Sequence, residues 1–151
     1  MGVISGGLRP STRLLMLHPD AEVRWVNETI GWGVFATRRI PRGTITWVQD
    51  PLDQVLSAST LVRSPQPIVA CLDKYAYRNG SGKLVLCWDN ARLINHSCEP
   101  NVLSPGLDFD LALRTIQANE QILTDYSSLN PEGPKPCACG SGPCPGVILP
   151  Y

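Results

Sequence analysis

Apolar and polar residues alternate along this chain in short runs, not in long helical stripes. Val23–Val26 reads as a strand, and Gly33–Ala36 as a second one after a Gly31-Trp32-Gly33 turn. Ile40-Pro41-Arg42-Gly43 reads as a turn into Thr44–Val48, whose β-branched and aromatic residues predict a third strand. Tyr75–Tyr77 and Leu84–Trp88 flank Asn79-Gly80-Ser81-Gly82, which predicts a hairpin. Leu111–Thr115 and Gln121–Leu123 read as two more strands joined by a polar turn. The best helix candidate is Leu52–Val62, with Asp50 as cap and Pro51 in the first position. Asp89–Leu93 reads as one helical turn. The pattern therefore predicts a mainly β protein with little helix.

The length of 151 residues suggests a single domain over 1–151. A chain of this size buries roughly two-thirds of its unfolded surface. Hydrophobic residues at 43% and charged ones at 17% describe a globular chain, not a disordered one. The formal net charge is zero. Six Lys/Arg stand against three Asp/Glu up to Gly43, and seven against ten after it, so there is no basic block to neutralise phosphates. Direct nucleic-acid binding is not expected. No apolar run approaches the roughly 20 residues of a membrane span. Leu14–Leu17 is too short for a signal core, and Gly6 stands where a myristoylation motif wants Ser or Thr. An intracellular protein is expected: cytoplasmic, or nuclear in a eukaryotic cell.

From Asn130 the chain changes character. Pro131, Gly133, Pro134, Pro136, Gly140, Gly142, Pro143, Pro145 and Gly146 crowd a tail that cannot build a core, so something else must order it. Three of the six cysteines, Cys137, Cys139 and Cys144, lie there as C-x-C-x4-C. A tight turn with that spacing lets thiolates converge on one tetrahedral zinc ion. Zinc prefers four ligands, and the residues alone leave Cys71, Cys87, Cys98 and His96 as candidates for the fourth. Reduced thiols in a loose tail, or a disulfide, are the alternatives, the latter disfavoured without a secretory signal. Cys71 and Cys87 sit in apolar contexts and read as small buried residues.

Three segments and this tail together resemble the SET family of protein lysine methyltransferases. The first is Ile30-Gly31-Trp32-Gly33-Val34-Phe35-Ala36 followed by Ile40-Pro41-Arg42-Gly43-Thr44. The second runs Arg92-Leu93-Ile94-Asn95-His96-Ser97-Cys98-Glu99-Pro100-Asn101. The third is Asn119-Glu120-Gln121-Ile122-Leu123-Thr124-Asp125-Tyr126, and Cys137-Ala138-Cys139-Gly140-Ser141-Gly142-Pro143-Cys144 is similar to the post-SET motif. The resemblance implies a SET domain of short curved β-sheets over about 22–130, with a C-terminal pseudoknot, and a zinc-ordered post-SET tail over about 134–149. The threading would bring Asn95–Ser97 next to Asp125–Tyr126.

The resemblance also implies S-adenosylmethionine as cofactor, contacted by the backbone at Ile30, Gly31 and Trp32, by Asn95 and His96, and by Tyr75. It makes Cys98 the fourth zinc ligand beside Cys137, Cys139 and Cys144. Tyr77, Thr124 and Val147 would line or cover the substrate lysine channel. Many relatives carry Phe or Tyr at the Thr124 position, so this small Thr departs from the pattern. The partner would be a protein or peptide carrying a lysine, with a histone as the family-typical case.

Tyr126 is the residue expected to be catalytic. A lysine ammonium has no lone pair, and its reference pKa is about 10.4. An apolar channel beside a cationic sulfonium favours the neutral amine by desolvation and like charge. A tyrosine hydroxyl can then align the amine with methyl and sulfur. The structural readings are a core aromatic for Tyr126, a satisfied buried histidine for His96 and an ordinary hairpin turn for Gly31–Gly33. Two competing functions follow: a non-catalytic SET-like binding module stabilised by zinc, and a zinc-ordered structural protein whose tail docks a partner.

Overall fold

The computed structural model describes residues 16–129 and 132–150. The myristoylation reading at Gly6 and the start of the Leu14–Leu17 run therefore lie outside the described residues. The elements in chain order are β1 (Ala21–Asn27), β2 (Gly31–Ala36), β3 (Ile45–Val48), β4 (Gln54–Leu56), α1 (Ala58–Arg63), α2 (Gln66–Tyr75), β5 (Ala76–Arg78) and β6 (Leu84–Leu86). A 3-10 turn at Asn90–Leu93 leads to β7 (Asn95–His96), β8 (Val102–Leu103), β9 (Phe109–Ala112) and β10 (Leu123–Thr124). A second 3-10 turn, Tyr126–Leu129, precedes β11 (Lys135–Pro136) and β12 (Val147–Ile148).

These strands form four small sheets. β1 and β2 make an antiparallel ribbon, and β11 and β12 pair in the tail. β4, β6 and β5 make a three-stranded antiparallel sheet. The largest sheet has the order β3-β9-β8-β10-β7. In it β10 lies parallel to β8 on one side and to β7 on the other. The loop 97–101 joining β7 to β8 must therefore pass over β10, a threaded crossing. It is held there by Ser97 N–H on Thr124 O at 3.0 Å and Asn101 N–H on Leu123 O at 3.1 Å. The crossing places Asn95–Ser97 against 123–126, as the family resemblance implied.

The core sits where the sheets converge. Val34, Ala36, Ile40, Trp47, Ile94, Val102, Ala112, Ile116 and Ile122 form one cluster, several of them with no exposed surface. Each is an inward residue of a strand or of the bridging segments beside it. In β9 the same alternation turns Asp110 inward beside Ala112, so a carboxylate is built into the buried face.

Three expectations fail in the segment after β3. Leu52–Val62 is not one helix. Leu52 N–H donates to Asp50 Oδ1 at 2.7 Å, Asp50 N–H donates to Asp53 Oδ2 at 3.0 Å, and Trp88 N–H donates to Asp53 Oδ1 at 2.9 Å. This makes a turn in place of a helix cap, and it steers Gln54–Leu56 into pairing with β6. Helix begins only at Ala58, and the longer helix, α2, was not anticipated; Pro67 lies in its first turn, where proline is tolerated. Tyr75 accordingly ends α2, and the hairpin strand starts at Ala76. Cys71 is exposed, not buried as its context suggested: Leu72 is the buried residue of α2, and neighbouring helical positions are turned about 100° apart. Cys87 is buried as expected.

Candidate active site

The glycine turn between β1 and β2 is set by Asn27, whose Oδ1 accepts from the amides of Thr29 at 3.0 Å and Ile30 at 2.9 Å. Gly31 then takes φ +83°, a conformation glycine adopts without strain. Trp32 stays 52% exposed and stands edge-on to Trp25 at 5.4 Å between ring centroids. Gly33 answers a different need. A Cβ there would lie 2.5 Å from Gln121 Nε2 and 2.8 Å from Asn95 Nδ2. Asn95 uses that close approach to donate Nδ2–H to Trp32 O at 3.0 Å. Gln121 Nε2 is buried at the same place with no hydrogen-bond partner among the described residues. Peptide carbonyls, side-chain amides and an exposed indole thus meet at one spot. The cradle at Gly33 and the unpartnered amide beside it suit a ligand with both polar and aromatic parts.

The threaded crossing joins this region to Tyr126. His96 Nδ1 accepts from the Tyr126 backbone amide at 3.1 Å, and the two rings are 5.3 Å apart. Asp125 Oδ1 lies 3.6 Å from the same nitrogen, beyond hydrogen-bond reach. The Tyr126 hydroxyl donates to Ile94 O at 2.7 Å. Burial pushes that hydroxyl up to about 12, so it is a neutral donor across the physiological range.

Tyr126 stands on the wall of two adjoining spaces. The larger, ≈ 750 Å³, is also lined by Leu72, Tyr75, Tyr77, Lys135 and Ile148. The smaller, ≈ 60 Å³, shares Tyr77 and Tyr126 and ends on Trp47, Ser104, Asp110 and Thr124. Tyr77 and Tyr126 stand between the two spaces, with Tyr75 on the larger and Thr124 on the smaller. Within the tail it is Ile148 that reaches the large cavity, while Val147 is half-buried on the same strand. Ion pairs between Arg78 and Glu132, and between Lys135 and Asp73, tie the rim to the start of the tail.

The sulfurs of Cys98, Cys137, Cys139 and Cys144 lie together although no disulfide links them. Cys98 and Cys137 are 3.8 Å apart, and Cys137 and Cys144 3.5 Å. Sulfurs held on zinc at about 2.3 Å with tetrahedral angles are separated by about 3.8 Å, whereas a disulfide needs about 2.05 Å. His96 Nε2, 3.3 Å from Cys98 Sγ, competes for a place: His96, Cys98, Cys137 and Cys139 have ligand atoms all within 4.8 Å of one another. The tautomer decides between them. Nδ1 accepts from Tyr126, so in the neutral ring Nε2 carries the hydrogen and donates to sulfur without binding metal. Four thiols could therefore hold the ion, with His96 beside them.

Three residues of the site had no role assigned from sequence. Asn101, fully buried, accepts Leu123 N–H at 2.8 Å and donates to Gln121 O at 2.7 Å and Glu120 Oε1 at 2.9 Å, fastening the crossing. Ser104 and Asp110 close the small cavity. The available signal for Asp110 was a lone carboxylate inside the apolar run Phe109-Asp110-Leu111-Ala112.

The chain is thus a set of small β-sheets closed by a threaded crossing, with His96 clamped to the Tyr126 amide and Asn95 to the glycine turn. Residues 31–127 match the model of the SET domain, and the chain belongs to the SET-domain family. It is 29% identical over 140 residues to histone-lysine N-methyltransferase ash1 of Drosophila melanogaster, covering 83% of this chain and 6% of that one. It is 27% identical over 129 residues to histone-lysine N-methyltransferase SETD1B of Homo sapiens, covering 78% and 6%. The chain thus spans a small fraction of the length of these curated relatives. Among solved structures, the methyltransferase domain of human histone-lysine N-methyltransferase SETMAR superposes with a TM-score of 0.61 at 23% identity, over 90% of this chain and 59% of that one, a likeness of fold.

Proposed function

We propose that this chain is a protein-lysine N-methyltransferase that transfers the methyl group of S-adenosylmethionine to a lysine side chain. The observation that carries the reading is Tyr126: its amide is clamped by His96 and its neutral hydroxyl by Ile94 O, on the wall shared by two adjoining cavities. In-line displacement at a methyl sulfonium needs position and exclusion of water more than acid-base machinery. When bound, S-adenosylmethionine supplies the electrophilic methyl. In this reading Ile30, Gly31 and Trp32 offer backbone to the cofactor, and Asn95, His96 and Tyr75 complete its site. Tyr126 orients the acceptor amine, while Tyr77 and Thr124 shape the channel and Val147 helps cover it.

Zinc is assigned to Cys98, Cys137, Cys139 and Cys144, and orders the tail whose Ile148 faces the cavity. The catalytic core is placed at about 22–130 and the zinc tail at about 134–149. The partner is a protein or peptide carrying a lysine. Histones are the first substrate to try, because ash1 and SETD1B are histone-lysine methyltransferases; on this reading the protein would work in the nucleus of a eukaryotic cell. Among the described residues no helix is long and apolar enough to cross a membrane.

Calorimetry with S-adenosylmethionine on zinc-loaded protein tests the reading first. Low-micromolar binding, about −8 kcal/mol, is expected, and its loss when Asn95 and His96 are both changed to alanine. Methyl transfer to recombinant core histones, abolished by Tyr126→Phe with binding intact, completes the case. Folded, zinc-loaded protein that binds no cofactor would instead indicate a binding module with the same fold.

A further inference from the structure

The floor of the small cavity carries more polar groups than its own hydrogen bonds satisfy. Asp110, Ser104 and Thr124 come from β9, the end of β8 and β10, three neighbouring strands of one sheet. All three are buried. Ser104 Oγ donates to Asp110 Oδ1 at 2.6 Å and lies 3.3 Å from Thr124 Oγ1. A serine hydroxyl has one hydrogen, and Asp110 has it. In the second contact Thr124 must therefore be the donor, which leaves the Thr124 oxygen with lone pairs to offer. Tyr77 Oη and Trp47 Nε1 border the same cavity, both buried and without partners among the described residues. Native interiors rarely leave such groups unmatched. At ≈ 60 Å³ the cavity is roomy enough for waters or for the end of an amine-bearing side chain.

We propose that Thr124, Ser104 and Asp110 form the subsite for the acceptor amine, a chain of hydroxyls that carries the proton of a lysine ammonium to Asp110. The inference rests on the methyltransferase reading above and adds to it a named proton acceptor. The ammonium N–H bond breaks as its proton passes to Thr124 Oγ1. Thr124 gives its own hydrogen to Ser104, and Ser104 gives its own to Asp110. The products are a neutral amine with a free lone pair and a neutral carboxylic acid, so charge and hydrogens balance. Asp110 returns the proton to solvent after the methylated product leaves. Thr124, a small side chain on the cavity wall, supplies the first link.

The environment of Asp110 agrees. Burial, partly offset by the hydrogen bond from Ser104, pushes its carboxyl up to about 6, nearer the range in which a general base works. The ionisable groups that feel its charge are Tyr77 and Cys87, with Arg78 and Tyr126 also on the cavity wall. Burial, then Cys87 and the carboxylates of Asp110, Asp53 and Asp108, push Tyr77 upward, so it stays a neutral hydroxyl.

The test uses the zinc-loaded chain, with S-adenosylhomocysteine in place of the cofactor and n-butylammonium as the amine probe. If the wild type fails to bind S-adenosylhomocysteine, the methyltransferase reading falls and this inference falls with it. If it binds, butylammonium should bind the loaded wild type at least tenfold more tightly than it binds Asp110→Asn or Ser104→Ala. Equal affinity in all three, or no amine binding by any, overturns the subsite while leaving the enzyme reading standing. Ser104→Ala keeps the question open to test should the Asp110 variant fold poorly. On core histones, Asp110→Asn should lower kcat about a hundredfold, a larger loss than any rise in KM from the weakened amine contact. A purely structural Asp110 would leave the amine affinity of the folded variant unchanged.

Discussion

The backbone amide of Tyr126 donates to Nδ1 of His96 at 3.1 Å, across the crossing that brings β10 alongside β7. The same ring presents Nε2 to Cys98 Sγ at 3.3 Å. One imidazole therefore spans the distance from the thiol cluster to the tyrosine at the cavity wall. Removing it should act at both ends. His96→Phe keeps the ring volume but loses both nitrogens. Loss of a hydrogen bond to a ligating thiolate is expected to weaken zinc binding about 10–100-fold. Competition against a chromogenic chelator measures it. Unchanged zinc affinity would mean that the contact is not to a metal ligand.

Gly33 and Gly31 should respond to alanine in different ways. At Gly33 the new methyl would strike the amides of Gln121 and Asn95, and Val26 Cγ2 at 2.9 Å. Overpacking of this kind costs about 1–3 kcal/mol, and the displaced Asn95 leaves Trp32 O. Gly31→Ala meets nothing within 4 Å, and its burden is the positive φ alone, about 1 kcal/mol. Urea unfolding should rank Gly33→Ala as the weaker protein. Calorimetry should show Gly33→Ala losing at least about tenfold in S-adenosylmethionine affinity, or 1.4 kcal/mol. Equal behaviour of the two variants would contradict the close-approach account of Gly33.

Much of this was legible in the sequence because short alternating runs and turn residues are local signals. β1, β2, β3 and the β5–β6 hairpin lie close to where Val23–Val26, Gly33–Ala36, Thr44–Val48 and the Asn79–Gly82 turn put them. The segment 51–75 was misread because its outcome depends on a distant partner. Asp53 spends a carboxylate oxygen on the Trp88 amide, 35 residues away, and no local pattern records that. The thiol cluster was legible as chemistry from C-x-C-x4-C, but Cys98 came from the family resemblance, and the part played by His96 needed the geometry. Asp110 escaped for a similar reason. Its meaning lies in Ser104 and Thr124, which sit on neighbouring strands and not nearby in the chain.

Asn101 should prove to be a stability residue of the crossing and not a binding residue. It has no exposed surface, and its amide group serves Leu123 N, Gln121 O and Glu120 Oε1. Asn101→Ala strands a buried peptide N–H and a carbonyl, at a cost of about 3 kcal/mol. Asn101→Asp keeps an acceptor for Leu123 but faces the Gln121 carbonyl and the Glu120 carboxylate with oxygens, and should be worse at neutral pH than at pH 4. Chemical denaturation at the two pH values separates the variants. A loss below about 0.5 kcal/mol for alanine, the level of an ordinary surface change, would show that the crossing does not depend on this side chain.

Asp110 predicts a pH-dependent stability that can be read without any substrate. Burial raises its folded carboxyl to about 6, from an ordinary value of 3.8. An acid raised in the folded state destabilises the fold fully above the folded value, and not at all below the unfolded one. The shift of about two units corresponds to about 3 kcal/mol at pH 7. Asp110→Asn is close to isosteric, still accepts from Ser104, and carries no charge. It should therefore melt at a higher temperature than wild type at pH 7. The gap should shrink as pH falls through 6 and close below about pH 3, where the wild-type carboxyl is protonated in both states. Thermal unfolding of the two proteins across that range, with zinc held saturating at the upper end, measures the difference directly. A wild type that is the more stable protein at pH 7 would mean that the carboxylate is compensated in the resting fold, and its fitness to receive a proton would go with it.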